Sequence, residues 1–242
     1  MQKFIPIALL AILIVGCKGG ETTAATTGGG EATATGTTDV KASADGTYTF
    51  KLAPKQGEKY TYVTSGNAMG MSTEQTMTMS VEKVDGDKVT IVTTIDGMKV
   101  NGKEATGAAG DALKKMKITS VMDSTGKTLE TKLEGAPAGT PTPENPTTAM
   151  PSKPVKIGDT WEGSTKMQGA EIKATYKLAK VEGNVATIET TMEGLPMGLV
   201  LDGPTIVEMD MSTGMMISTK AKMKMKGPDG KEMVITSETK KK

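Results

Sequence analysis

The chain has no histidine, no arginine and a single cysteine, Cys17. These absences exclude serine or cysteine nucleophiles activated by histidine, histidine-ligated zinc and any disulfide within the chain. Every positive charge is lysine, and beyond residue 16 there are 28 lysines against 28 acidic side chains. Nucleic-acid recognition wants a basic excess and guanidinium forks, so no nucleic-acid partner is expected. Aromatic residues make up 3% of the chain, which leaves little for stacking on bases or sugars. No cofactor and no metal set is legible, and the balance of residues points away from an enzyme.

What is present begins with Met1-Gln2-Lys3, an apolar run from Phe4 to Val15, and Gly16-Cys17. A short basic start, about a dozen apolar residues and a small residue at the cleavage point are the parts of an export signal. A membrane-spanning helix needs ~20 apolar residues, and this run is shorter. Ile14-Val15-Gly16-Cys17 resembles the lipobox of bacterial lipoproteins. That resemblance implies a signal peptide over 1–16, cleavage before Cys17, and lipidation of Cys17 on its thiol and usually its new amino terminus. The membrane, reached through this lipid anchor, is then the first expected partner. Two or three acyl chains at ~0.8 kcal/mol per buried methylene hold a protein far more firmly than one. Lysine follows the cysteine, where enterobacterial sorting uses aspartate to retain lipoproteins in the inner membrane. Lys18 therefore points to the outer membrane, if the organism has two membranes and follows that rule.

From Lys18 to about Asp45 the chain is Gly, Thr and Ala with scattered charges, and Val40 is its one large apolar residue. Such a segment cannot bury enough surface to offset ordering entropy, so 17–46 reads as acylated cysteine and disordered tether, reaching roughly 30 Å as a coil. A second break over 136–154 holds Pro137, Pro141, Pro143, Pro146, Pro151 and Pro154. It separates two related stretches, 47–135 and 155–242, expected to form one continuous domain. Residues 81–98, starting at Val81, overlay 178–195, starting at Leu178, without gaps, and eight of eighteen positions are identical. Gly57-Glu-Lys-Tyr60 likewise matches Gly158-Asp-Thr-Trp161, and Ser124-Thr-Gly126 recurs as Ser212-Thr-Gly214. Two copies of one supersecondary unit account for this.

Each copy alternates apolar and polar residues as a half-buried strand does. Met77, Met79 and Val81 share one face, as do Ala174, Tyr176 and Leu178. Asp85-Gly86 and Glu182-Gly183 fall at hairpin turns, followed by Val89, Ile91 and Ile95, and by Ala186, Ile188 and Met192. Residues 110–116 alone read as a helix, with Asp111 placed to cap it. The expected fold is mainly β: about ten or eleven antiparallel strands in two duplicated units, forming a curved sheet or incomplete barrel with one or two short helices at most.

Beyond residue 16 methionine outnumbers leucine about two to one, with i, i+2 pairs at Met69/Met71, Met77/Met79, Met209/Met211 and Met223/Met225. On a strand each pair lies on one face, where thioethers can fill an irregular core, line a face for a greasy ligand, or bind Cu(I). Core filling is the simplest of these, because the methionines fall where alternation calls for apolar residues. Ser124-Thr-Gly-Lys127 matches the Ser-x-x-Lys pattern formally, yet its partner motifs are missing and copy two has Met215 in place of the lysine, so it reads as a turn. The row Lys220, Lys222, Lys224 and Lys226 reads as a solvated strand face with Glu232 and Glu238 across the hairpin.

Pro151-Ser-Lys-Pro-Val-Lys-Ile-Gly-Asp-Thr-Trp161 resembles the signature of an uncharacterised family of bacterial lipoproteins, over roughly 50–238. The resemblance implies no activity or catalytic residue. Trp161 matches Tyr60 of the other copy and reads as a strand anchor. The functional expectation is a non-enzymatic envelope lipoprotein that binds or carries an apolar small molecule or lipid on its sheet. Its ligand-face candidates are Met77, Met79, Val81, Ile91, Ile95, Tyr176, Leu178, Ile188 and Met192. A structural module with an envelope protein partner is the alternative, and Cu(I) binding the third reading.

Overall fold

A computed structural model describes residues 42–68, 70–136, 150–167, 170–227 and 231–242. The expected signal over 1–16, Cys17, most of the tether and most of the Pro-rich connection lie outside the described residues. The fold is mainly β, a single open antiparallel sheet that curves without closing.

Copy one contributes β1 (Lys59–Ala68), β2 (Met71–Asp85), β3 (Lys88–Val100), β4 (Lys103–Glu104), α1 (Gly107–Lys115), β5 (Lys117–Asp123) and β6 (Thr128–Glu134). Copy two contributes β7 (Thr160–Met167), β8 (Ala170–Glu182), β9 (Val185–Glu193), a 3-10 turn (Pro196–Gly198), β10 (Val200–Leu201), β11 (Thr205–Asp210) and β12 (Met215–Lys226). A last strand, β13 (Glu232–Lys241), has no counterpart in copy one. The strand order is β6-β5-β3-β2-β1-β13-β12-β11-β9-β8-β7, with the two-residue strands β4 and β10 pairing β3 and β12. Eleven strands thus form the main path.

The order exposes the duplication. Each copy is a five-strand meander, and β13 pairs β1 of copy one on one side and β12 of copy two on the other. Matching irregularities recur. The ladder slips between Val81 and Lys83 against β3, and again between Leu178 and Lys180 against β9. Gly57 N–H donates to Val81 O and Gly158 N–H to Leu178 O. The Glu58 carboxylate accepts from the Lys55 amide, and that of Asp159 from the Lys156 amide. Gly86 and Gly183 take φ of 61° and 56° at the predicted hairpins, a conformation open to glycine at little cost.

The helix differs from the sequence expectation. It starts at Gly107 with Thr106 as N-cap, and Asp111 is exposed inside it, so Asp111 caps nothing. The glycine at 107 has φ 74°, a kink out of β4 that starts the helix earlier than side-chain capping would suggest.

Apolar residues of both copies meet in one cluster. Tyr60, Tyr62, Met77, Val81, Val89 and Ile91 from copy one pack with Ala174, Tyr176, Leu178, Ile188, Val207 and Met209 from copy two. Phe50, Leu52, Met150 and Val155 join them from segments outside the sheet. A smaller cluster of Leu199, Met223 and Ile235, with Ala68, Leu195, Leu201 and Met225, is separate from it.

Candidate functional site

The inner face of the sheet is divided into bands by the register of its strands. At one end lies the main core, at the end where the β5–β6 and β11–β12 turns sit. This end is plugged by the chain's own residues 48–54. Tyr48 and Val155 exchange backbone hydrogen bonds of 2.7 and 2.9 Å, Leu52 N–H donates to Ser124 O at 2.8 Å, and Ala53 N–H donates to Thr213 O at 2.9 Å. The two repeated Ser-Thr-Gly turns therefore grip one strap, each by a single carbonyl. The Asp123 carboxylate organises the first turn through the Thr125 amide and hydroxyl, and that of Asp210 organises the second through Ser212. Ser124-Thr-Gly-Lys127 is a turn, as its sequence suggested.

Eight of the nine ligand-face candidates come together, but as packed interior, while Ile95 is buried outside their cluster. Met77, Val81, Ile91, Ile95, Tyr176, Leu178 and Ile188 are buried, while Met79 and Met192 are partly buried against the same cluster. Trp161 stacks on Tyr176 with ring centroids 5.6 Å apart and tilts against Phe50 at 6.3 Å. Tyr62 hydroxyl donates to Met216 O at 2.8 Å, and burial raises its pKa above the ordinary phenol range. Burial, followed by a short hydrogen bond to Glu58, does the same for Tyr60.

The methionines are spread over several environments. Met77, Met209, Met211 and Met215 sit in the main core, Met223 in the small cluster, and Met71 is exposed. Among the described residues no group of three or more His, Cys, Asp or Glu side chains could hold a metal ion. The lysine row is matched by acids: Lys220 pairs with Glu238, Lys222 and Lys224 with Asp202, and Lys224 with Glu232. A shallow hollow of about 540 Å³ is lined by Ser65, Asn67, Lys220, Thr236 and Glu238, with Gly66, Ala221 and Ser237 between them. The first five alternate away from the buried face, so this hollow is a polar saddle on the outer side.

At the opposite end of the inner face runs an apolar row across five strands. Leu201 pairs with Met223, Met223 with Ile235, Ile235 with Ala68, and Ala68 with Met71. The row grades from buried Met223 (4%) to exposed Met71 (41%). Between it and the main core lies a hydroxyl band. Thr64 pairs with Gln75 and Thr239, Thr239 with Thr219, and Thr190 with Thr205. The strap and this band were not drawn from the sequence. The readable signal for the band was a run of threonines at positions where alternation calls for apolar side chains.

Residues 142–227, within copy two and its approach, match the model of a family of unknown function (DUF6263). No curated protein matches the chain. A DUF1329 family protein from Desulfovibrio piger aligns with 76% of this chain and 84% of its own at 10% identity, with a TM-score of 0.26. MucB, solved in complex with MucA(peri), aligns with 77% of this chain and 89% of its own at 12% identity, with a TM-score of 0.15. Similarities at these scores carry no argument about what this chain binds.

Proposed function

We propose that the chain is a lipid-anchored envelope protein that holds an apolar molecule on the inner face of its sheet, at the end away from the strap. The observation that carries this is the row Leu201, Met223, Ile235, Ala68 and Met71, apolar across five strands and increasingly exposed from Met223 to Met71. The main core is already filled by Phe50 and Leu52, so a ligand seats beyond it. Methionine suits such a surface because its unbranched, polarizable side chain repacks around varied shapes. No spacing of Asp, Glu, Lys or Tyr supports a catalytic role, and binding is the whole of the proposed activity.

A second reading, a structural or protein-interaction module, is favoured by one specific observation. Among the described residues β6 and β7 are the two edges of the sheet and pair with a strand on one side only, leaving backbone groups open to another strand. The two readings separate by native mass spectrometry of residues 18–242, which retain every described element, after exposure to a bacterial lipid extract. A retained lipid of defined mass supports the binder; an unliganded spectrum moves the assignment to the module. The anchor has its own test: palmitate labelling of the full chain in a bacterium is expected, and its persistence in Cys17→Ser would refute lipidation at that residue.

A further inference from the structure

Thr190 and Thr205 are cross-strand partners on β9 and β11, 0% and 2% exposed, and neither hydroxyl has a hydrogen-bond partner among the described residues. Their neighbours in the same band are satisfied: the Thr64 and Thr239 hydroxyls bond each other at 2.9 Å, and the Thr219 hydroxyl donates to Met216 Sδ at 2.8 Å. An orphaned buried hydroxyl costs on the order of 1–3 kcal/mol, so two in register ask for an explanation. They lie on the inner face with Ile188, Val207 and Tyr176, directly behind the break at Gly203-Pro204 that separates β11 from β10 and its apolar row.

We infer that this pair is a polar subsite, receiving one uncharged carbonyl oxygen of an acyl ester or amide whose hydrocarbon lies along the apolar row. This rests on the proposed function and names the chemistry of its ligand. Paired side chains on one face stand ~4.5–5.5 Å apart, a span that one bridging acceptor can close. A carbonyl oxygen has two lone pairs and the two threonines have two O–H donors, so the match is complete without a proton transfer. The group must be neutral. Alternation turns Lys177, Glu189, Lys220 and Lys222 to the outer face, leaving Ile188, Val207, Tyr176 and Met192 around the pair. A carboxylate or phosphate would be buried there without a counter-charge, at a cost that neutral carbonyls do not meet. The cover that must yield is the stretch from Gly194 to Gly203, which places Leu195 and Leu199 over Met223 and Ile235. Gly194, Gly198 and Gly203 within it take φ of 79°, 68° and 97°.

The test compares methyl laurate with dodecane, each displacing a fluorescent apolar probe from residues 18–242. Thr190→Val/Thr205→Val removes both hydroxyls and keeps the side-chain shape. Expected is a loss for methyl laurate on the order of 30-fold, no change for dodecane, and unfolding stability equal to or above that of the unchanged chain. Equal methyl laurate affinity in both proteins would overturn the subsite, with a bound water as the partner of the hydroxyls, and would leave the proposed function standing. Failure of both probes to bind the unchanged chain would overturn the function and the subsite together. The single variant Thr205→Val, with about half the logarithmic loss, gives the same decision should the double variant not fold.

Discussion

Replacing Gly214 by alanine probes whether the strap is a fixed part of the interior. Gly214 lies in the β11–β12 turn with φ +70°, and a Cβ there would stand 2.4 Å from Lys51 O, 2.9 Å from Leu52 Cα and 2.7 Å from Met150 Cε. The backbone conformation alone costs an alanine ~1–2 kcal/mol. Gly86 has φ +61° with nothing within 4 Å of its would-be Cβ, so Gly86→Ala isolates that conformational cost. The contact with Lys51 O cannot be relieved by a side-chain rotation, because the obstructing atom is backbone. The strap must retreat, loosening Leu52, worth about 2 kcal/mol of burial, and the Leu52 and Ala53 amide bonds at about 1 kcal/mol each. Gly214→Ala is therefore expected to lose ~3–4 kcal/mol more than Gly86→Ala in urea unfolding of residues 18–242. Faster proteolysis between residues 48 and 54 should accompany the loss. Equal losses within ~0.5 kcal/mol for the two variants would refute the tight approach.

Two further predictions rest on single groups. Tyr62→Phe removes the donor to Met216 O inside the core and should cost ~1–2 kcal/mol, read by the urea midpoint at pH 7, with the slope unchanged. Hydrogen bonds from Lys222 and then Lys224 hold the Asp202 carboxyl below its ordinary 3.8. Because the folded value lies below the unfolded one, its stabilisation is present above 3.8 and disappears as pH falls through the folded value. Asp202→Asn should therefore lower the unfolding midpoint at pH 7 and converge with the unchanged chain once the pH has fallen below the folded value. A gap that persists at that acidity would assign the effect to something other than the two ion pairs.

Local pattern carried the strands and their faces. Alternation at Met77, Val81, Tyr176 and Leu178 placed each on the buried side, and the glycine-marked hairpins at Gly86 and Gly183 fixed which strands are sequential neighbours. Pairing of β13 with β1 was not legible, because period-two alternation names a face and says nothing about a partner some 175 residues away. The strap escaped for a related reason. Phe50 and Leu52 alternate like a strand, yet they lie against the sheet instead of within it, and only the two distant turns reveal that role. The helix start was missed because Thr106 makes no side-chain capping bond, leaving Asp111 as the more conspicuous but wrong signal. For the candidate site, the apolar residues were visible and their occupancy was not. Sequence marks what prefers to be buried, whereas the fold decides whether chain or ligand does the covering.

The seam between the copies has a consequence for the order of events during synthesis. Among the described strands β13 leaves the ribosome after all the others, and it is also the one that joins β1 to β12. Until β13 emerges, the two meanders have no shared ladder among the described strands, and the sheet stays in two pieces however long the earlier chain has waited. A stop codon that removes β13 should leave two meanders with no ladder between them, held only by the strap and the shared core, where the chain that keeps β13 makes one sheet.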